Sequence, residues 1–541
     1  MARTSVSNYL VAPGTERGKN PATQGSSWSC NMFREVNGQQ NYLTSLPGLK
    51  FKHRFNTGSR CRGAYVSSVG LTVNNQEENA FVVFGNVLYR IDWVGNVTKL
   101  GNVAPGHTRV CFSESGGLRP MLLVADGVNL WCYDLLEGGE LVRITLPDRI
   151  TGEGGQIKPS HVVCIDGVIA VNDTSNSGFV YFSTPYPLNS ETREIFKIVD
   201  GEIQYDPDNP LKVDTMEVPA VDYVFKDNYS TVLYKNAETS SDNIQALAAV
   251  GSTLYVLGKK TIEIWTRGSS ELESWICTSY TTNASNGVAA PNSIAICGSS
   301  MFYVGSGDSY AKAVMMVNGT SYSKVSDTWL DNILLGETSE TAFGFSYAQN
   351  GHVFYVLQLT QSGQCWTYDL TTKEWHQRIS RQKDTGKEIP WRVQAMLWFK
   401  GKFWAFANDA CAYEHTPEYW WEDYGSSESR LPMIRHRQGQ VIVNQNAPFI
   451  FLELGIECNV GCIDDYAEDA RILLEISKDG GNTWSNMRSA PFGRTGQYGH
   501  RVRFLSLGMN RLCCLRVTYS SPSSLELTSC SERIAPTAQV I

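Results

Sequence analysis

An apolar run, a tight turn at a glycine and a second apolar run recur along most of the chain. FVVFGNVLYRID around Gly85 and MLLVADGVNLWCYD around Gly127 are the first two such units. The pattern returns at five further glycines: Gly167, Gly251, Gly298, Gly351 and Gly401. Apart from one interval of 84 residues, these glycines are 40 to 53 residues apart, which is the period of a four-stranded propeller blade. The repeat therefore predicts a β-propeller of about seven blades, with six to eight compatible with the spacing.

The 84-residue interval has two interpretations: a divergent blade near Asp200, or a long insertion. The segment 205–241 is rich in Asp, Asn, Pro and Ser, which favours an exposed loop. We predict a propeller over residues 56–420 with an insertion near 200–242. Residues 1–55 show little periodicity and are predicted to form an arm or strap over the propeller.

The repeat ends near Tyr419, where WWEDYGSSESRLP is polar and rich in turn formers. Beyond it, strand-like runs such as FIFLELGIEC and CLRVTYS alternate with turns. This pattern predicts an antiparallel β-sandwich over residues 421–541. The whole chain is thus predicted to be all-β, with an N-terminal arm, a propeller and a C-terminal sandwich.

The stretch ISKDGGNTWSN in the predicted sandwich carries the Asp-box pattern of sialidases and of many β-proteins that are not enzymes. Ser477 and Asp479 can accept hydrogen bonds from nearby backbone N–H groups. Gly480 and Gly481 supply positive φ at little steric cost. Trp484 can then fold its ring back beside the turn. We predict that these five residues form a structural turn.

Composition and motifs favour no enzyme class. The net charge of −8 argues against a broad nucleic-acid-binding surface. A sialidase needs an arginine cluster, and spacing alone assembles none. The histidines show no zinc-binding spacing, and there is no Walker-type loop. We predict no catalytic residue, cofactor or metal, and leave open whether the acidic run 464–469 holds a cation.

Basic residues occur in two local groups that we predict to lie on the surface and to contact a partner. One group is Arg435 with Arg437, and the other is Arg378, Arg381 and Lys383. Fourteen cysteines include no Cys-x-x-Cys pair, and most lie in apolar runs, which favours reduced thiols and folding in the cytoplasm. The first residues lack the apolar core of a signal peptide, and no apolar run is long enough to span a bilayer.

Both ends of the chain carry motifs of one family. SCNMFREV is followed by LTSLPGLKF near the start. The C-terminal motif matches at Asp479, Gly480, Gly481, Trp484, Ser485, Gly493, Gly496, Arg501, Leu507, Gly508 and Arg511. The chain thereby resembles the tail nozzle, or packaged-DNA stabilisation, proteins of short-tailed (podovirus-like) bacteriophages. RFLSLG and the cysteine-rich end depart from the family pattern.

The resemblance implies a structural virion protein of the phage tail, assembled in the host cytoplasm as a homo-hexameric ring below the portal and adaptor. Such a ring retains packaged DNA and conducts it during ejection without reading its sequence. Implied partners are the adaptor–portal complex, a tail fibre or tailspike, and needle or plug proteins. The two basic groups are then predicted to be contacts to neighbouring rings or one narrow gate. The alternatives are a kelch-like interaction scaffold, which YDLTTKEWHQ supports, and a sialidase-like glycosidase.

Overall fold

The computed structural model is nearly all-β. It describes residues 3–7, 10–11, 27–37, 40–57, 59–67, 78–116, 120–136, 138–150, 155–175, 178–183, 192–195, 198–199, 202–203, 214–217, 225, 232–237, 242–268, 275–280, 287–307, 310–443, 447–461 and 469–537. Among these residues the one α-helix is Thr328–Leu334, and no helix there is long and apolar enough to cross a membrane.

Seven antiparallel four-stranded blades form the propeller. Six of them are separate sheets, and the four strands of blade 6 belong to a ten-stranded sheet. Blade 1 contains strands Cys61–Ser67, Asn79–Phe84, Val87–Ile91 and Val97–Asn102; blade 2 contains Cys111–Glu114, Met121–Ala125, Leu130–Asp134 and Gly138–Ile144; and blade 3 contains Val162–Ile165, Val168–Asn172, Phe179–Phe182 and Tyr234–Asn236. Blade 4 contains Ile244–Val250, Thr253–Gly258, Ile262–Arg267 and Trp275–Tyr280, and blade 5 contains Gly287–Cys297, Ser300–Gly307, Tyr310–Asn318 and Ser321–Lys324. Blade 6 contains Ala342–Gln349, His352–Leu359, Gln364–Asp369 and Glu374–Gln377, and blade 7 contains Val393–Phe399, Lys402–Ala407, Cys411–Glu414 and Lys50–Arg54. The predicted all-β propeller of about seven blades is confirmed.

The ring is closed by the two ends of the propeller segment. Lys50–Arg54 pairs antiparallel with Cys411–Glu414 as the outermost strand of blade 7, with Arg54 opposite Cys411. The first strand of blade 7 then packs on the first strand of blade 1. Because the last blade takes its outer strand from the N-terminal side, the ring closes on itself.

The recurring glycines do not occupy equivalent positions in the blades. Gly85 and Gly127 turn between the second and third strands of their blades, whereas Gly167 and the later glycines turn between the first and second. All three named glycines have positive φ (59°, 94° and 78°), so each hairpin produces the same sequence pattern. The 84-residue interval arises because blade 3 carries an insertion between Phe182 and Tyr234.

Short strand pairs lie outside the blades. They are Thr192–Ile195 with Asp214–Glu217, Ile198–Val199 with Glu202–Ile203, Ile379–Arg381 with Glu388–Pro390, and Trp421–Asp423 with Arg430–Pro432. The first two pairs belong to the insertion of blade 3 and add no four-stranded sheet among the described residues.

Two further sheets form the predicted β-sandwich. The first contains Arg3–Ser7, Met32–Asn37, Gln40–Ser45, Glu526–Pro536, Phe449–Cys458 and Val502–Asn510. The second contains Trp28–Cys30, Arg435–Gln438, Leu512–Tyr519, Arg471–Ser477, Arg488–Pro491 and, paired with Leu512–Tyr519, Ile442–Val443. Phe451, Leu474, Phe492 and Val517 are among the buried side chains that fill the space between the sheets.

The segment predicted as an arm supplies strands to both domains. Trp28–Cys30 pairs with Arg435–Gln438 in the sandwich, and Cys30 also pairs in parallel with Gln377 at the outer edge of blade 6. The second sandwich sheet is therefore continuous with blade 6. The residue boundaries 55 and 420 of the three predicted domains stay predictions.

Candidate functional site

The Asp-box turn is held by hydrogen bonds within itself. The Ser477 hydroxyl donates to Asp479 Oδ1 (2.7 Å) and accepts from the N–H of Gly481 (2.7 Å). Asp479 Oδ1 also accepts from the N–H of Thr483 (2.9 Å), and Oδ2 accepts from the Thr483 hydroxyl (2.5 Å). These bonds, those from Thr483 first, lower the pKa of Asp479 to about 2. Both carboxylate oxygens are thus bonded inside the turn.

The rest of the motif joins the turn to its sheet. Gly480 and Gly481 have φ of 73° and 97°, the left-handed region that the turn requires. The half-buried ring of Trp484 lies under the Arg516 guanidinium, with 4.1 Å between the Cζ atom and the ring centroid. Arg516 also donates from Nε to Glu475 Oε2 (2.8 Å). The five predicted residues come together as one turn, and their structural role is a proposal that this geometry supports.

The predicted basic surface contacts are wrong for three of the five residues. Arg378, Arg435 and Arg437 are at most 1% exposed, while Arg381 is half-buried and Lys383 is exposed. Strand Arg435–Gln438 lies inside the second sandwich sheet, between two other strands. Both faces of this strand are covered by residues that are distant in sequence. The sequence alone therefore did not reveal that its arginines are buried.

The buried arginines use carbonyl, hydroxyl and aromatic partners. Arg437 donates from Nε to Leu10 O (2.6 Å) and from Nη1 to Ser29 Oγ (2.8 Å). The Arg378 guanidinium lies 3.8 Å from the centroid of the Trp391 ring. Burial lowers the pKa of Arg437 to about 9. Arg437 thereby joins the N-terminal segment to the sandwich, whereas Arg378 makes its contact within the propeller.

Charged groups also meet where strand Met32–Asn37 of the sandwich contacts blade 6. Arg34 Nε lies 2.9 Å from Glu374 Oε1. His352 Nδ1 lies 2.7 Å from Asp369 Oδ2, and its Nε2 lies 3.4 Å from Glu35 Oε1. Burial alone would lower the pKa of His352, but the bonds with Asp369, and then with Glu35, outweigh burial and raise it.

A cavity of about 1080 Å³ runs between the first strands of the blades, along the propeller axis. At one mouth of this channel, Arg60, which precedes blade 1, and Arg62 of blade 1 meet Arg109, which precedes blade 2. Sequence reasoning missed this cluster, because about fifty residues separate its two segments and only the closure of adjacent blades brings them together.

Within the part of the chain that the structure describes, no group of three or more His, Cys, Asp or Glu side chains could hold a metal ion. Of the acidic run 464–469, only Asp469 belongs to that part, so a cation site there stays outside the described residues.

Family models match both domains. One described as "Bacteriophage P22 Gp10, beta-propeller" matches residues 222–411, and one described as "Bacteriophage P22 Gp10, beta-sandwich" matches residues 435–535. Together they cover more than half of the 541 residues, in the order propeller then sandwich. The chain belongs to the bacteriophage P22 Gp10 family. The resemblance to the tail nozzle proteins of short-tailed phages is thereby confirmed.

Solved structures share a distant likeness with this Gp10-family chain. The N-terminal domain of Nup159 is 13% identical, covers 72% of this chain and 98% of its own, and has a TM-score of 0.39. Virginiamycin B lyase from Staphylococcus aureus is 12% identical, covers 68% of this chain and 98% of its own, and has a TM-score of 0.37. A streptogramin B lyase is 11% identical, covers 67% of this chain and 95% of its own, and has a TM-score of 0.38. No curated protein matches the chain.

Membership of the Gp10 family makes the chain a structural component of a phage tail in the virion. The matched region begins at residue 222, inside the insertion of blade 3. Blades 1 and 2, with their arginine cluster, lie before it.

Proposed function

We propose that this chain is the nozzle of a short phage tail. In this proposal six copies form a ring below the portal and adaptor, which retains the packaged DNA and conducts it during ejection. The match of both Gp10 domains, in their order along one chain, carries the proposal. The chain acts as a structural protein without an enzymatic step, and it is assembled in the host cytoplasm.

An exposed apolar strip on the sandwich supports contact between copies. Leu505 and Met509 lie on the edge strand Val502–Asn510 and are 60% and 59% exposed, and Met487 nearby is 58% exposed. Arg488 donates to the carbonyl of Leu505 (3.0 Å) and Lys478 to that of Met509 (3.1 Å), so cationic side chains occupy part of the edge. Pairing with another strand is thereby disfavoured, and side chains are left as the means of contact.

The charge of the ring suits a conduit for DNA. Six chains of −8 carry −48 in total, which repels phosphate. Each phosphate that a wall neutralises adds salt-sensitive affinity, and many such contacts would retard ejection. The ring therefore conducts DNA without recognising its sequence. The adaptor–portal complex, a tail fibre or tailspike, and needle or plug proteins contact the ring from outside its lumen.

The test is sedimentation velocity of the purified chain, alone and with adaptor complex. We expect a six-copy species on the adaptor. Leu505→Glu should weaken that species, because it buries a charge at the contact, whereas Val94→Glu, at a more exposed site on blade 1 (76% against 60%), should not. Binding of single copies only, with no ring at any concentration, would contradict the proposal.

A further inference from the structure

Three guanidinium groups converge beside the mouth of the propeller channel. A side pocket of about 10 Å³ is lined by Arg60, Arg62 and Arg109, together with His107, Asn292 and Glu340. Arg109, Asn292 and Glu340 also line the large channel cavity, so the side pocket adjoins the channel. The pocket has room for about one water-sized atom.

The three arginines differ in how fully the protein uses their donors. Arg62 is buried and donates to several backbone carbonyls, among them Thr108 O (2.8 Å) and Gly85 O (2.9 Å). Arg109 donates to Gln394 O and Gly344 O, and Arg60 to His107 O. A guanidinium carries five N–H donors, so Arg60 and Arg109 retain donors beside the pocket.

Carboxylates compensate this cluster only in part: burial lowers the pKa of Arg62, and the nearby charge of Asp126 opposes that effect without cancelling it. Among the described residues none lies within ion-pair distance of the three arginines. Asp126, the acidic neighbour of Arg62, has Oδ2 bonded to the N–H of Ala104 and to Trp131 Nε1, both at 2.7 Å. Glu340 is exposed at the rim.

The positive charges repel one another in a poorly solvated place. Burial lowers the pKa of Arg109, and the charge of Arg60 lowers it further. Burial raises the pKa of the adjacent Cys61 thiol to about 11, so that thiol stays neutral and gives no compensation. A guanidinium does not lose its proton at neutral pH, and an anion is the group that would relieve the repulsion.

We propose that this mouth of the channel binds one phosphate group, with one terminal oxygen in the side pocket and the rest of the group in the channel. Arginine forks match the geometry of phosphate oxygens, and the Asn292 amide can supply a further donor. The phosphate comes either from a free phosphate compound or from the backbone of a single-stranded nucleic acid. The inference does not depend on the nozzle function, because it rests only on contacts among residues of the propeller.

The first test uses the purified full chain and inorganic phosphate as probe. Isothermal titration and thermal unfolding are measured in phosphate and in sodium chloride of equal ionic strength, and phosphate is expected to bind and to raise the melting temperature. Arg60→Gln should weaken phosphate binding about tenfold, since one charge-assisted contact is lost. Arg60 is half-buried and holds one carbonyl, so the variant is expected to fold. Arg471→Gln, an exposed arginine on the sandwich, is the matched control and should bind like the wild type.

The opposite change gives a test that loss of folding cannot mimic. Glu340→Gln removes the negative charge at the rim and should tighten phosphate binding about threefold or more. Glu428→Gln, an exposed carboxylate at a distance, should leave it unchanged. Equal stabilisation by chloride and phosphate, or equal losses in Arg60→Gln and Arg471→Gln, would overturn the proposal.

A competition experiment identifies the source of the phosphate. A short oligothymidylate is titrated against bound inorganic phosphate in wild type and in Arg60→Gln. Displacement that requires Arg60 supports a nucleic-acid backbone phosphate, and phosphate binding without displacement supports a free phosphate compound. Displacement equally strong in Arg60→Gln would place the oligonucleotide elsewhere and count against the site.

Discussion

Replacing His352 by Gln is expected to destabilise the junction between blade 6 and the sandwich, and more so in acid than in base. The hydrogen bond between His352 Nδ1 and Asp369, at 2.7 Å, has an ionised acceptor and should contribute about 1.5–3 kcal/mol to the free energy of unfolding. The contact with Glu35 is long, at 3.4 Å, and partly exposed, so it should add under about 1 kcal/mol.

The sign of the pH dependence follows from the raised pKa of His352. Folding favours the charged imidazole, so its stabilisation is fully present below the ordinary pKa of about 6.5 and is lost as pH rises through the folded-state value. The pKa of Asp369 is lowered: burial raises it, but the bond with His352 outweighs burial. Asp369 therefore stays ionised through this range. Burial, and then the charge of Arg378, lower the pKa of the neighbouring His376 to about 3, so His376 stays neutral.

The assay is urea unfolding together with hydrogen exchange of the strands that carry Glu35 and His352. His352→Gln should lose about 2–4 kcal/mol at about pH 5.5 and about 1–2 kcal/mol less than that at about pH 8.5, where neutral His352 still donates to Asp369 but offers Glu35 no proton. His107→Gln, at an exposed histidine, is the control and should change by under about 0.5 kcal/mol. An equal loss at both pH values, or a larger one in base, would refute the charged bridge.

Asp479→Ala should lower the melting temperature of the sandwich in calorimetry, because the N–H of Thr483 loses its acceptor; unchanged melting would argue against a structural turn. The fully buried Arg378, replaced by Met, should change the free energy of urea unfolding by about 1–3 kcal/mol through loss of its contact with Trp391, whereas the exposed Lys383→Met should change it by under about 0.5 kcal/mol. A fluorogenic sialoside should not be turned over; turnover abolished by a point change would overturn the structural role. Duplex DNA should bind weakly at physiological salt in fluorescence anisotropy, and sub-micromolar, sequence-selective binding would mean that the protein reads DNA rather than conducting it.

Local patterns determined much of this fold. Alternating apolar runs around glycines with positive φ required hairpins, and their period required four-stranded blades. The Asp-box pattern predicts a turn, and the bonds among Ser477, Asp479 and Thr483, within seven residues, support that prediction. Such features depend on residues that are close in sequence, so the amino-acid sequence alone is enough to identify them. The terminal motifs likewise led to the family that the two domain matches show.

The position of a blade boundary was not readable in the same way. A hairpin between the second and third strands has the same pattern as one between the first and second, so Gly127 and Gly167 looked equivalent although they are not. The difference lies in which strand faces the channel, and that depends on packing between blades.

Only the tertiary structure decided which charges are buried and which converge. The local sequence predicts that Arg437 is a surface residue. In the structure its strand lies between Trp28–Cys30 and Leu512–Tyr519, which come from the two ends of the chain. Arg60 and Arg109 become neighbours because adjacent blades meet at the channel mouth. Burial and electrostatic coupling depend on distances in space, and here those distances are set by contacts between segments from about fifty to several hundred residues apart.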